Sequence, residues 1–314
     1  MQSTKVHKRW IDYAKAIGII LVVIGHVIPI SNEWKQWIYT FHMPLFFALS
    51  GYLFNSKRPT IKVAQRLLLP LFVYMLLIVI PYEFKLYAIG ETTIPNIIWR
   101  FINVQTCIKA TAFWFPYSLF IGLMTMKFLT IRFNRKQIMI ISFIFLILSY
   151  ITDYIELPQK YYPLAFNRIL FIMPFLWSGT IFKKYECDSI MENKYILLIA
   201  TIISSGNIFF LSYNFIDMKN GHFGFPFWSY FVALSTVFLL ICALKRIDIY
   251  IPSLEYIGKS SITIMYTHVL IYIWLSHWIT NSIIILVVIL IIGCLFHFII
   301  SRFKLLKFLF LGNA

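Results

Sequence analysis

The chain returns repeatedly to apolar stretches long enough to cross a bilayer, and that recurrence limits its fold more than any single motif. Such runs, bounded by charge or turn residues, fall near 13–30, 37–54, 66–82, 113–129, 137–152, 168–182, 195–213, 227–244, 260–276 and 282–300. A span takes about 20 apolar residues, so a chain of 314 residues has room for ten of them and little else. Only 13% of its residues are charged, against roughly a quarter in an ordinary soluble domain. Because lipid offers the backbone no hydrogen bonds, spans of this kind are helical. The expected fold is an all-α polytopic membrane protein with about ten transmembrane helices. It is read as one domain over 1–314, with no separate soluble domain, repeat or low-complexity linker.

Lys and Arg number 28 and Asp and Glu 12, a net charge of +16. In a soluble protein that surplus would point to nucleic acid. Here it sorts by loop: with a cytoplasmic N-terminus, 20 cations fall on inner segments and 7 on outer ones, with Lys15 inside the first helix. Cytoplasmic loops are the ones enriched in Lys and Arg. Both termini are therefore expected inside a cell (plasma or inner) membrane, with Cys187 inside and Cys107 outside, and no nucleic-acid partner is called for. The basic N-terminus leads into a first helix expected to remain uncleaved. Cys107, Cys187, Cys242 and Cys294 lack paired spacing and nearby histidines, which argues against disulfides and a metal site. The outer segment 83–112 is the longest interruption, a length that usually signals function. Segment 214–226 reads as a turn-rich hairpin.

Ionisable groups within hydrocarbon are costly and mark cavities or partners. On the first helix the 14 steps from Asp12 to His26 return to within roughly 40° of one direction, so Asp12, Lys15 and His26 form one polar stripe. At about 1.5 Å per residue His26 lies about 20 Å up a core about 30 Å thick, and His42 about 8 Å below the start of the second helix. The two histidines are thus expected at one depth. A neutral imidazole can accept a proton near pH 7, as activation of a hydroxyl nucleophile requires. His268 is expected deeper, about 10 Å from the inner side, and it can be structural or functional. Arg66 heads the third helix beside Lys57, Arg58 and Lys62. Positive-inside placement accounts for most of this cluster, and Arg66 is the member best placed to hold phosphate. Trp114 has two readings, an interfacial anchor or a substrate contact.

The segments RWIDYAKAIGIILVVIGH and FHMPLFFALSGYLF, the basic stretch running into RLLLP, FWF at the fourth helix and GKSSITIMYTH near the C-terminus resemble the integral-membrane acyltransferase 3 family, in its fucose 4-O-acetylase-like branch. The resemblance extends over nearly the whole chain. It implies a membrane O-acyltransferase that moves acetyl from cytoplasmic acetyl-CoA, its co-substrate, to a hydroxyl of an envelope glycan or glycolipid, without a metal. By motif it implies His26 and His42 as catalytic and Arg9, Asp12 and Arg66 on the donor's side, while Trp114 and His268 are substrate-binding candidates from their positions in the spans. Many members carry Arg-x-x-Arg at the third helix; here Val63 occupies the first position and Lys62 is the candidate substitute. A glycan transporter or flippase, an O-succinyltransferase and a non-catalytic assembly subunit are the competing classes. Only a transferase labels its acceptor.

Overall fold

The computed structural model describes residues 8–29, 31–102, 112–156, 166–185, 192–210 and 214–312. Cys107 and Cys187 lie outside the described residues. The chain forms helices α1 (Arg9–Val27), α2 (Asn32–Tyr52), α3 (Thr60–Tyr74), α4 (Ile80–Ala88), α5 (Ile94–Ile102), α6 (Trp114–Arg132), α7 (Arg135–Tyr154) and α8 (Phe166–Lys184). It continues with α9 (Lys194–Gly206), α10 (Trp228–Lys245), α11 (Pro252–Leu275), α12 (Ser282–Arg302) and α13 (Lys304–Leu311). Over the described residues each apolar run read from the sequence falls mainly on one of these helical stretches, with α1 ending at Val27 and α2 at Tyr52. Six of them are long and apolar enough to cross a membrane: α1, the continuous stretch Thr60–Ala88, α6, α7, α10 and α12. Helices α2, α8 and α11 match them in length, at 21, 19 and 24 residues, but are not among those six.

Local chemistry sets the helix ends. Asn134 caps α7, accepting from the Gln137 backbone N–H at 3.1 Å, while the Gln137 side chain accepts from the Asn134 N–H at 3.0 Å, a reciprocal capping box. Asn193 and Asn281 cap α9 and α12 through their side-chain oxygens. A π-helical turn, Met75–Val79, joins α3 to α4 just ahead of Pro81. A proline ring clashes with the carbonyl four residues back and supplies no N–H to it, and widening the turn accommodates that defect.

The interior is graded. Helix α8 buries twelve of its nineteen residues and α1 twelve of nineteen, whereas α12 buries only Ile285, Ile289 and Gly293. The outward faces of α7, α9 and α12 are apolar and exposed (Ile140, Phe143, Leu198, Ile284, Leu295), as lipid-facing surfaces must be. Three glycines let the inner helices approach closely at two helix pairs. Gly51 of α2 lies against the Leu176 carbonyl while Gly179 of α8 lies against that of Ala48, and Gly258 of α11 lies against the Asp12 carbonyl of α1. A β-carbon at any of these positions would overlap backbone.

Helices α1 and α2 are antiparallel, with Gly25 under the Tyr39 ring and Gly18 under Phe46; α1 and α11 run side by side in the same direction. The end at which α1 and α11 begin is called lower here. The upper end is covered by the expected hairpin, Ile216–Asp217 paired with His222–Phe223 in the register Ile216↔Phe223 and Asp217↔His222. Asp153 at the end of α7 holds it, accepting from the Phe223 N–H at 2.7 Å and lying 3.2 Å from His222 Nδ1. Phe223 stacks on Phe171 at 4.5 Å.

Candidate active site

Two cavities lie back to back among the described residues. The upper one, about 290 Å³, is lined by His26, His42 and His268 together with Tyr39, Trp114, Lys35 and the hairpin residues Asp217, Lys219 and Asn220. The lower one, about 280 Å³, is lined by Lys15, Arg58, Arg66, Lys127 and Lys259, with Ser50, Ser261 and His297 among the other polar groups. The two share a wall of four apolar side chains, Ile19, Phe46, Phe115 and Met265, from α1, α2, α6 and α11.

The histidines differ in how they are held. His42 is 6% exposed and places Nδ1 2.8 Å from the Ile38 carbonyl. His268 is fully buried, with Nδ1 2.8 Å from the Met265 carbonyl and 3.1 Å from that of Ile264. A carbonyl only accepts, so in both rings Nδ1 carries the hydrogen and Nε2 is left with a lone pair. His268 Nε2 is buried and has no hydrogen-bond partner among the described residues. Its ring centroid is 5.3 Å from that of His26. His26, at the last turn of α1, is exposed to the cavity. One histidine is thus open to a reactant, flanked by two whose tautomers are set by the backbone.

The depths read from the sequence change in two respects. His268 is level with His26 rather than deeper, because α11 begins at Pro252, eight residues before the apolar run, and sixteen further residues carry His268 about 24 Å up the helix. His42 is about one turn, roughly 6 Å, below His26: the register that sets Gly25 against Tyr39 puts His42 opposite Val22. The first turns of α2 rise above the end of α1, which the apolar boundary at Trp37 conceals.

The donor-side candidates divide. Arg66 lines the lower cavity, and so does Lys15, whose Nζ donates to Asp12 Oδ1 at 3.1 Å. Asp12 itself is not among the residues lining that cavity. Lys62 is exposed and outside the cavity wall, whereas Val63 is part of it. Arg9 lies over the Tyr250 ring at 5.1 Å, away from the cavity. Lys127, which the motif reading did not select, donates to the Arg58 carbonyl at 3.0 Å and to Thr60 Oγ1 at 3.2 Å, fixing the loop that carries Arg58. Arg58 and Arg66 make no ion pair among the described residues.

Trp114 lines the upper cavity, and behind it is Arg168, one of the seven cations counted on outer segments. Arg168 is 1% exposed, sits 5.7 Å from the Trp114 ring and donates through Nη2 to the Lys219 carbonyl of the hairpin. Its position in the first turn of α8, directly ahead of an unbroken apolar run, was the available signal. Tyr39, 4.9 Å from His42 and stacked on Phe215 at 5.7 Å, was likewise not singled out, although it lies one turn from His42.

The sequence model of the family described as "Acyltransferase domain", acyltransferase 3, matches residues 8–302. The chain belongs to that family of membrane acyltransferases. Among curated proteins it is similar to the nodulation protein NolL of Mesorhizobium japonicum, 31% identical over 199 residues that cover 56% of this chain and 50% of that protein. The nodulation protein NolL of Sinorhizobium fredii is 27% identical over 208 residues, 60% of this chain and 53% of that protein. The chain thus spans about half the length of the curated relatives it matches. No solved structure matches it.

Proposed function

We propose that the protein is a membrane O-acyltransferase that transfers acetyl from acetyl-CoA to a hydroxyl of an envelope glycan or glycolipid. The observation that carries this reading is the pair of cavities back to back, one cationic and one holding three histidines. In this reading the lower end faces the cytoplasm, where the 20 cations counted on inner segments would lie, both termini lie there too, and all ten apolar stretches cross a cell membrane.

Arg58, Arg66, Lys15, Lys127 and Lys259 hold the phosphates of the donor by charge-assisted hydrogen bonds. Lys15 and His26 are eleven residues apart on α1, about 16 Å, so the donor's long arm must pass the shared wall. In the upper cavity Trp114, Tyr39 and the hairpin hold the sugar. His26 removes the hydroxyl proton as the oxygen attacks the thioester carbonyl; the C–S bond then breaks and the thiolate recovers the proton from His26. His42 and His268, each presenting a lone pair, orient the hydroxyl or carry its proton. Neither a metal nor nucleic acid enters this scheme, and lipid is the remaining partner.

Two chambers at opposite ends also suit alternating access by a glycan transporter, the second reading. Mass analysis of surface glycan from cells with and without the protein decides between them. The acyltransferase reading expects acetyl esters that vanish with the protein and with His26→Ala. Unmodified glycan retained inside the cell instead would support transport.

A further inference from the structure

The shared wall has a composition unlike either chamber. Above it are three imidazoles with Lys35, Lys219 and Asp217, and below it five cations, yet Ile19, Phe46, Phe115 and Met265 present no charged or hydrogen-bonding side-chain group to either side. Each lies just under a residue of the upper site: Met265 three residues before His268, Phe46 four after His42, Phe115 next to Trp114, and Ile19 seven before His26. Anything delivered from the cationic chamber to the histidines must pass between these four.

Three of the four have little room to move. Ile19 is 1% exposed and β-branched, which restricts its rotation. Phe46 is backed by Gly18, where a β-carbon would come within 2.9 Å of its ring, and it meets Phe115 edge to face at 5.7 Å. Met265 is the unbranched, adaptable member. An opening produced mainly by one thioether chain is narrow. It is also dry, so an ionised group crossing it gives up water with no counter-charge to replace it. The cations below act in the same direction, since a carboxylate on the acyl group is more favourably placed beside Arg58 and Arg66 than in the aperture.

Resting on the acyl-transfer reading, we propose that Ile19, Phe46, Phe115 and Met265 form a donor filter that admits small, neutral, unbranched acyl groups to the histidine chamber and rejects branched or ionised ones. The filter makes the choice among acyl groups before any chemistry takes place. An acetyl thioester passes, while isobutyryl is stopped by width and succinyl by charge.

The test is a competition in which expression level cancels. Inside-out vesicles from expressing cells, retaining their own acceptor, receive equimolar acetyl-, butyryl-, isobutyryl- and succinyl-CoA, and the acyl groups released from the glycan by mild base are counted by mass. In the wild type, isobutyryl and succinyl are each expected at least about tenfold below acetyl, the scale of discrimination a small apolar site achieves. Met265→Ala and Phe46→Leu, made separately so that one misfolded variant does not decide the matter, are each expected to raise the isobutyryl-to-acetyl ratio about tenfold. Unchanged ratios in variants that still transfer acetyl would overturn the filter and leave the transferase reading standing. Equal incorporation of succinyl and acetyl by the wild type would overturn its charge selection. Absence of acyl transfer from any donor would remove the underlying reading as well.

Discussion

The upper and lower chambers are nearly equal in volume, about 290 and 280 Å³, and opposite in construction. The lower chamber takes its charge from long, flexible side chains, of which Lys15 is paired with Asp12 and Lys259 with Glu255. The upper chamber is lined by short rigid rings, of which His42 and His268 are held by backbone carbonyls on α2 and α11 while His26 is open to the cavity. Flexible cations suit a large, multiply charged ligand held at several points. Fixed imidazoles suit a proton transferred over a single short distance. In the proposed reading the contrast separates donor binding from chemistry, so each chamber is expected to respond to substitution on its own.

Removing the exposed imidazole should have the largest effect. His26→Ala is expected to reduce acyl transfer by about 10²–10⁴, the usual contribution of a general base, with the KM for the acyl donor unchanged. Near-normal turnover by a well-expressed variant would take the chemistry away from His26. A large rise in donor KM would show that the chambers do not act separately.

Arg66→Ala should come next, with the reverse pattern. Hydrogen bonds to charged groups contribute about 1.5–3 kcal/mol, so donor KM should rise about ten- to a hundredfold while kcat and acceptor KM stay within about twofold. The loss should shrink at high salt, because salt screens charges that solvent can reach. A fall in kcat at unchanged donor KM would move Arg66 out of the binding chamber.

Arg168→Met tests the roof of the upper chamber. The guanidinium joins Trp114 to the hairpin through the Lys219 carbonyl, and methionine retains the bulk but not the donor. Acceptor KM is expected to rise several-fold with donor KM unaltered. Loss of expression alone, or equal effects on both substrates, would give Arg168 a purely structural role.

The family match was legible because its motifs recur along nearly the whole chain, and the apolar stretches and the pairing of His26 with His42 in one cavity because each is encoded within one or two neighbouring helices. Asp12, Lys15 and His26 share a stripe that any helical wheel shows. The convergence of His268 on His26 was not, since it depends on where α11 begins, and Tyr256, Lys259 and Glu255 disguise that first stretch as a loop. Arg168 was misplaced for a related reason: charge counting assigns an arginine near a boundary to the loop, whereas packing here draws it inside. The shared wall left no local signal, because Ile19, Phe46, Phe115 and Met265 are ordinary core residues until four helices bring them together.

The smallest expected effect concerns the position where this chain departs from the Arg-x-x-Arg pattern it resembles. Lys62 was the natural substitute for the missing arginine, being the cation nearest to Val63 in sequence. On α3, positions 62 and 63 both neighbour 66, four and three residues away, but they lie on different sides of it. Val63 is in the cavity wall and Lys62 is exposed outside it. Lys62→Ala should therefore change donor KM by less than about twofold, within the range of exposed charges. Val63→Arg should lower donor KM several-fold, because it adds a cation on the wall beside Arg66. Measuring donor KM for both variants against wild type settles which position faces the donor. A marked rise for Lys62→Ala with no gain from Val63→Arg would mean that α3 is rotated in the donor complex and that the cationic chamber is completed only when its ligand arrives.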